Sequence, residues 1–259
     1  MKMISFAVKK GGVGKTTICK NIAYKLAKDN KKVLVIDLDP QATLSTQFVN
    51  KDVDQTKTIV KLITAISLIP ITKIIQKSKF NNLDIIIGGE DLNKTSTLIN
   101  TLFSDKDKYL ISDAIYNSNK DTLDAYDYVL IDYPPTIQEL ALNFLILSDL
   151  VIIPINSGSG SFKGLVDLKN TLNQICRQEN REVPPIKIVF NNIKDNENTS
   201  FIFNWLKDET LDKFLSNNII KNSDTFIKTE NDLDSIWDNK YYWRQKQAYE
   251  ELIKEIIFI

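Results

Sequence analysis

The sequence contains no histidine. That removes the one side chain whose unperturbed pKa lies in the physiological range, together with the commonest metal ligand. Any chemistry must then run on carboxylates, lysines, backbone N–H groups and a bound metal ion. Cysteine is nearly absent as well: Cys19 and Cys176 lie far apart and neither belongs to a C-x-x-C pair. Neither a disulfide framework nor a zinc site is indicated, and a reduced, cytoplasmic setting fits. No stretch approaches the ~18 apolar residues of a membrane-crossing helix. The apolar run before Lys9 covers only about six residues, too few for the core of a signal peptide. Net charge is missing too, because Lys+Arg 33 balance Asp+Glu 33. Binding to nucleic acid would have to come from a local patch and not from a whole-molecule field. At 259 residues, the chain can be one large α/β domain or at most two small ones, and either can bury a real core.

What is present centres on Lys9 to Thr17, reading KKGGVGKTT. The run Met3 to Val8 before it predicts a short buried strand, and Ile18, Ile22 and Leu26 after it fall on one face of a helix. A glycine-rich turn between strand and helix is the setting a phosphate-binding loop requires. Gly11, Gly12 and Gly14 free the backbone so that successive N–H groups and the helix N-terminus converge on one anion. Lys15 would neutralise the β and γ phosphates and the Thr16 hydroxyl would bind Mg²⁺. Without an anion, two lysines beside a helix N-terminus would repel its positive end.

The ordinary form G-x-x-x-x-G-K-[ST] fails, since Lys9 stands at its first position. K-G-G-x-G-K-T fits, and in it the chain resembles the deviant Walker A ATPases of the ParA/MinD type. The resemblance implies an α/β P-loop NTPase, with a mostly parallel twisted sheet flanked by helices on both faces. It also implies ATP and Mg²⁺ as ligands, held by Lys10, Gly11, Gly12, Val13, Gly14, Lys15, Thr16 and Thr17. In that family the first lysine, here Lys10, reaches across a dimer interface to the other subunit's nucleotide. Catalysis would thus rest on Lys10, Lys15 and Asp39.

The apolar run Val33 to Ile36 predicts a strand buried on both faces. It ends in Asp37-Leu38-Asp39-Pro40-Gln41, where open α/β sheets place their ligands. By resemblance Asp39 positions the attacking water and Asp37 lies near Mg²⁺. Tyr128 to Asp132, followed by Tyr133-Pro134-Pro135, reads as a Walker B strand whose Asp132 holds Mg²⁺ opposite Thr16. Between these motifs, Ile59-Val60, Leu62-Ile63 and Ile66 suggest a short amphipathic helix, and Pro70 breaks the next one. Leu83 to Ile87 suggest a strand and Gly88-Gly89 a turn, with Glu90-Asp91-Leu92 opening a helix. Leu98, Leu102, Leu110, Ile111 and Ile115 come from one or two helices broken near Asp105 to Lys108.

A helix around Ala141 to Leu147 and a strand from Leu150 to Ile155 follow. The loop Asn156 to Ser161, before a helix beginning near Lys163, is either a mobile edge of the dimer interface or a loose connection. A strand Ile186 to Phe190 ends in Asn191 and Asn192. Asn192 and Asp195 stand at N-x-x-D spacing, and Asn191 and Asn192 are candidates for adenine, unless this is only an Asn-rich turn. The resemblance covers roughly residues 1 to 195. Beyond it a more divergent helical part of the same domain is expected, with helices near 198–216 and 241–257 and a strand at Ile219 to Lys221. Lys221, Lys228, Arg244 and Lys246 are the DNA candidates; acidic Asp224, Glu230 and Asp232 equally suit a solvated mixed-charge face.

The resemblance therefore implies a cytoplasmic, nucleoid-associated ATPase. ATP would build a homodimer that holds DNA non-specifically, and a ParB-like centromere-binding partner would stimulate release by hydrolysis. The chain starts almost at the loop strand, so segregation is expected over operator repression. The alternative is a MinD-like membrane-positioning ATPase, but the tail Glu250 to Ile259 is acidic where a lipid-binding helix is basic, so membrane binding is not expected.

Overall fold

The computed structural model describes residues 1–49, 53–65, 69–193 and 197–257. Ile66 of the expected helix and Asp195 of the N-x-x-D spacing lie outside these, as do Phe258 and Ile259. The first strand, β1 (Lys2–Phe6), runs through the glycine-rich loop into α1 (Lys15–Lys28) and then β2 (Val33–Asp37). Short α2 (Thr43–Phe48) and α3 (Val60–Thr64) precede β3 (Gln76–Lys77) and β4 (Leu83–Ile86). Then come α4 (Thr95–Leu102), α5 (Ile111–Ser118), α6 (Lys120–Asp124), β5 (Tyr128–Asp132), α7 (Glu139–Leu145) and β6 (Leu150–Ile155). The long α8 (Ser159–Gln178) leads to β7 (Ile186–Ile193), α9 (Glu197–Asp208), β8 (Ile220–Lys221), α10 (Asp224–Asn231) and α11 (Trp243–Ile257).

The strands form one sheet in the order β3-β4-β2-β5-β1-β6-β7-β8, parallel except where β3 meets β4. From β1 the chain winds outward to β4, returns to insert β5 between β1 and β2, and continues on the other flank through β6. Alternate strand residues serve opposite layers because the side-chain period is two. In β2, Val33 and Val35 pack with α1, α2 and α11, whereas Leu34 and Ile36 join a second core with α4, α5, α7 and α8. Both faces of the sheet are thereby covered, which is what its continuous apolar strands require.

Several boundaries differ from the sequence reading. The loop at 156–161 is shorter than expected, since α8 begins at Ser159 and not near Lys163. The Ser161 hydroxyl lies within hydrogen-bond reach of the carbonyls of Asn156 (2.8 Å) and Gly158 (2.7 Å), one of which takes its proton at a time, and this ties the turn into the first turn of the helix. The helix expected over 198–216 stops at Asp208. Thr210 there takes a positive φ of 55°, and Leu211 N–H donates back to the Leu206 carbonyl at 2.7 Å, closing the helix end. The strand at 186 runs on to Ile193, and α10 was not foreseen at all.

Candidate functional site

The loop between β1 and α1 turns through Gly12 and Gly14, whose φ values are +71° and +92°. Gly14 has a second constraint: a Cβ there would stand 2.0 Å from Asn191 Nδ2, which donates to the Val13 carbonyl at 2.8 Å. Asn191 thus braces the loop from the end of β7, with its amide N–H committed to the backbone. On the other side, Gly164 of α8 comes so close that a Cβ would lie 2.8 Å from the Lys9 carbonyl. The Lys9 amine donates to Thr171 of α8 at 2.8 Å. Contacts from β7, through Asn191, and from α8, through Gly164 and Thr171, thus brace the loop on two sides.

Lys15 is buried, and its amine donates to the Lys10 carbonyl at 2.9 Å. Burial pulls its pKa down, opposed by the charges of Asp132 and Asp39. Parallel pairing of β2 with β5 sets Asp37 abreast of Asp132, at the strand ends that face the loop. Asp37 accepts from the N–H groups of Asp39 (3.0 Å) and Ser45 (2.9 Å) and from the Ser45 hydroxyl (2.7 Å). Burial pushes its pKa up to about 6 despite those donors, with the charge of Asp39 adding to the rise. Ser45 in turn accepts from Gly88 N–H at 2.9 Å, and Gly88 lies where a Cβ would meet the Asp39 carbonyl at 2.4 Å. Ser45 and Gly88 therefore organise the aspartate turn. Ser45 carries no local sequence signal, since its partner is set by the fold.

The Thr16 hydroxyl donates to Asp132 Oδ2 at 2.7 Å, while buried Asp132 Oδ1 has no hydrogen-bond partner. Burial first, and then the charge of Asp37, raise the Asp132 pKa well above the carboxylate range, against the Thr16 bond and Lys15. An orphaned buried carboxylate oxygen beside a hydroxyl and a second carboxylate suits a hard divalent cation. No cluster of three or more His, Cys, Asp or Glu ligands occurs among the described residues. Thr16 and Asp132, with Asp37 abreast, are donors of the kind Mg²⁺ uses, since it takes one or two carboxylates and leaves its other positions to phosphate and water.

Asp132→Asn is expected to stabilise the ligand-free protein at pH 8 by about 2 kcal/mol, because it neutralises a buried, half-unpaired charge. The sign follows from the raised pKa: ionising Asp132 costs the folded state, so the advantage of Asn should grow as pH rises above the unfolded value. Thermal unfolding at pH 5 and 8 checks this, and equal shifts at both would contradict it.

The loop glycines, Lys15, Thr16 and Thr17 line a cavity of about 720 Å³ that also takes in Asp39, Pro134, Pro135, Asn192 and part of α10, while fully buried Asp37 and Asp132 are not among its lining residues. Asp39 is half-buried, with Oδ1 accepting from Gln41 N–H at 2.8 Å. Asn192 has a φ of 58° and its side chain accepts from Asn222. The Thr17 hydroxyl donates to Glu230 Oε1 of α10 at 2.5 Å. Lys10 is exposed, does not line the cavity, and runs across the start of α8, where a Cβ on Gly160 would meet its amine at 3.4 Å.

The four basic candidates for DNA do not share one environment. Lys221 ends edge strand β8, Lys228 is exposed on α10, and Arg244 stacks over Trp243 at 5.1 Å. Half-buried Lys246 acts on Asp238: burial raises that carboxyl, but bonds from Lys28 and Tyr24 and the charges of Lys28 and Lys246 hold it below its ordinary value.

Residues 1–184 match the AAA domain family AAA_31. The sporulation initiation inhibitor protein Soj of Bacillus subtilis is 30% identical over 189 residues, covering 70% of this chain and 69% of Soj. The chromosome partitioning protein ParA of Myxococcus xanthus is 29% identical over 67% of this chain. Other curated relatives are matched along 52% to 66% of their own length. Among solved structures, a plasmid partition protein of Borrelia burgdorferi bound to AMPPNP is 26% identical with a TM-score of 0.75, covering 98% of this chain and 99% of that one. A family match over more than half of the sequence, and a relative 30% identical along over two thirds of both chains, establish that this chain belongs to the AAA-domain family of ParA-type P-loop ATPases.

Proposed function

We propose that this chain is a partition ATPase, a single domain in which ATP binding builds a homodimer that holds DNA non-specifically. Hydrolysis, slow until a ParB-like partner acts, then releases the DNA. The observation that carries this reading is the division of labour between two lysines. Lys15 is buried against the site's carboxylates, whereas Lys10 is exposed, does not line the cavity and lies over the start of α8, where it is open to a second molecule. The AMPPNP held by the Borrelia partition protein supports ATP as the ligand, and the partition roles named for ParA and its relative support the cargo.

The residues present fit Mg-ATP. Thr16 and Asp132, with Asp37 abreast, would hold Mg²⁺, which offsets phosphate charge when bound. The loop N–H groups and Lys15 would bind the β and γ phosphates. Asp39 would orient the attacking water, Asn192 lies on the cavity wall for the base, and Asn191 fixes the loop. Lys221, Lys228, Arg244 and Lys246 would supply weak phosphate contacts, each too slight to hold DNA without a second subunit. The membrane reading loses support from α11, whose apolar residues Tyr249, Leu252, Ile253 and Ile256 are buried in the core. No described helix is long and apolar enough to cross a membrane.

ATP turnover measured with and without DNA and a centromere-binding partner tests the proposal. Asp39→Ala should still bind ATP yet lose at least ~100-fold in hydrolysis, the scale of a lost proton-handling or water-orienting group. It should accumulate as an ATP-bound dimer. Normal turnover in this variant would move the role to another residue.

A further inference from the structure

The helix that the sequence did not announce, α10, forms one wall of the cavity through Phe226, Ile227 and Glu230. Backbone and side-chain contacts both hold its last turn, while at its N-terminal cap Gln245 Nε2 donates to the Ser223 hydroxyl at 2.8 Å. At the C-terminal end, buried Lys20 donates to the Thr229 carbonyl (3.2 Å) and to Gln47 (2.7 Å), and Gln47 Nε2 donates to the Glu230 carbonyl at 3.3 Å. A cation under the last carbonyls of a helix is a favourable anchor. Lys20 is only 3% exposed, and burial pulls its pKa down to about 8, so it remains mostly charged at neutral pH. None of these anchoring groups except Glu230 lines the cavity. On the cavity side, one hydrogen bond joins α10 to the phosphate loop's helix, from the Thr17 hydroxyl to Glu230 Oε1.

That bond sits badly with an anionic ligand. A hydroxyl has one proton and can give it to one acceptor at a time. The surrounding N–H groups and Lys15 are arranged to attract negative charge, and a carboxylate in the same partly enclosed space repels a phosphate that enters it. We propose that the Thr17–Glu230 contact is a side-chain latch in competition with phosphate: a triphosphate that binds the loop must take the Thr17 hydroxyl from Glu230 and turn the carboxylate away. The bonds from Lys20 and Gln47 to the Thr229 and Glu230 carbonyls stay, so the helix backbone keeps its place on α1. The part that moves is the Glu230 side chain, since Ser223 at the start of α10 is held by Gln245 and Phe226 packs edge-on against Tyr249. This rests on the nucleotide reading above and adds its regulation.

The test uses calorimetric titration of the full-length protein with Mg-ADP and, separately, with inorganic tripolyphosphate, which has phosphate charge but no nucleoside. Glu230→Gln keeps the shape and still accepts from Thr17, and Glu230→Ala serves if that variant folds poorly. The neutral variant is expected to bind both ligands about tenfold more tightly than wild type, since a like charge has been removed. The gain should shrink as salt is raised, a response that a purely structural role would not give. Unchanged or weaker binding of tripolyphosphate would overturn the latch while leaving the nucleotide reading intact. Weaker Mg-ADP binding with tripolyphosphate unaffected would overturn it in favour of a contact to the nucleoside. Wild-type protein that binds neither probe would refute the nucleotide reading itself, and the latch with it.

Discussion

Lys15→Ala is expected to abolish nucleotide binding, with a loss of roughly 100-fold or more for a charge-assisted contact to phosphate. Apart from Lys15 the loop offers neutral N–H groups, and behind it stand Asp37, Asp39 and Asp132. Without Lys15, the field at the phosphate position would be dominated by those carboxylates, so the loss should exceed that of one hydrogen bond. The variant should nevertheless fold. For Lys15 the burial penalty outweighs the attraction of Asp132 and Asp39, so removing the amine also removes a cost to the empty protein. The Val13–Asn191 bond and the packing of α8 on Lys9 that shape the loop do not involve the Lys15 side chain. Titration with labelled ATP, alongside a melting curve, measures both. Undiminished affinity in a folded variant would refute the phosphate-loop assignment.

Lys10→Ala should separate binding from assembly. Alanine keeps the Lys10 carbonyl that accepts from Lys15 at 2.9 Å, so the subunit's own phosphate site should survive and ATP should bind to the monomer. What disappears is the exposed amine over the start of α8. If that amine meets the partner's triphosphate, its loss leaves buried phosphate charge unpaired, and truncating such a pair costs about 2–5 kcal/mol. ATP-dependent dimerisation, partner-stimulated hydrolysis and DNA binding should fail together. In wild type, DNA affinity should fall steeply with salt, because it depends on several weak phosphate contacts acting at once. Light scattering and DNA titration in Mg-ATP decide the matter, and a normal dimer that holds DNA would leave Lys10 an ordinary loop residue.

Much of this site was legible because its parts are local in sequence. The turn at Gly11 to Gly14, the helix after it and the aspartates ending Val33–Asp37 and Tyr128–Asp132 are short patterns whose periodicity and glycine content set their structure. The resemblance carried by KKGGVGKTT and the two aspartate motifs then identified the fold, and the sheet is mostly parallel with both faces covered, as expected; its strand order was not read from the sequence. Boundaries that depend on a single side-chain bond, such as the start of α8 at Ser161's hydroxyl, were not readable in this way.

The sequence by itself determined the phosphate loop, the buried strands and which carboxylates end them, since backbone freedom, apolar periodicity and strand ends are properties of neighbouring residues. Only the tertiary structure decided which distant groups serve that loop. Asn191 lies 178 positions from Val13 and Glu230 lies 213 from Thr17. Asp37 and Asp132 stand abreast only because β5 inserts beside β2. Pairings of that separation are chosen by how the sheet winds and by burial that leaves a polar group no nearer partner, and neither is written in local pattern.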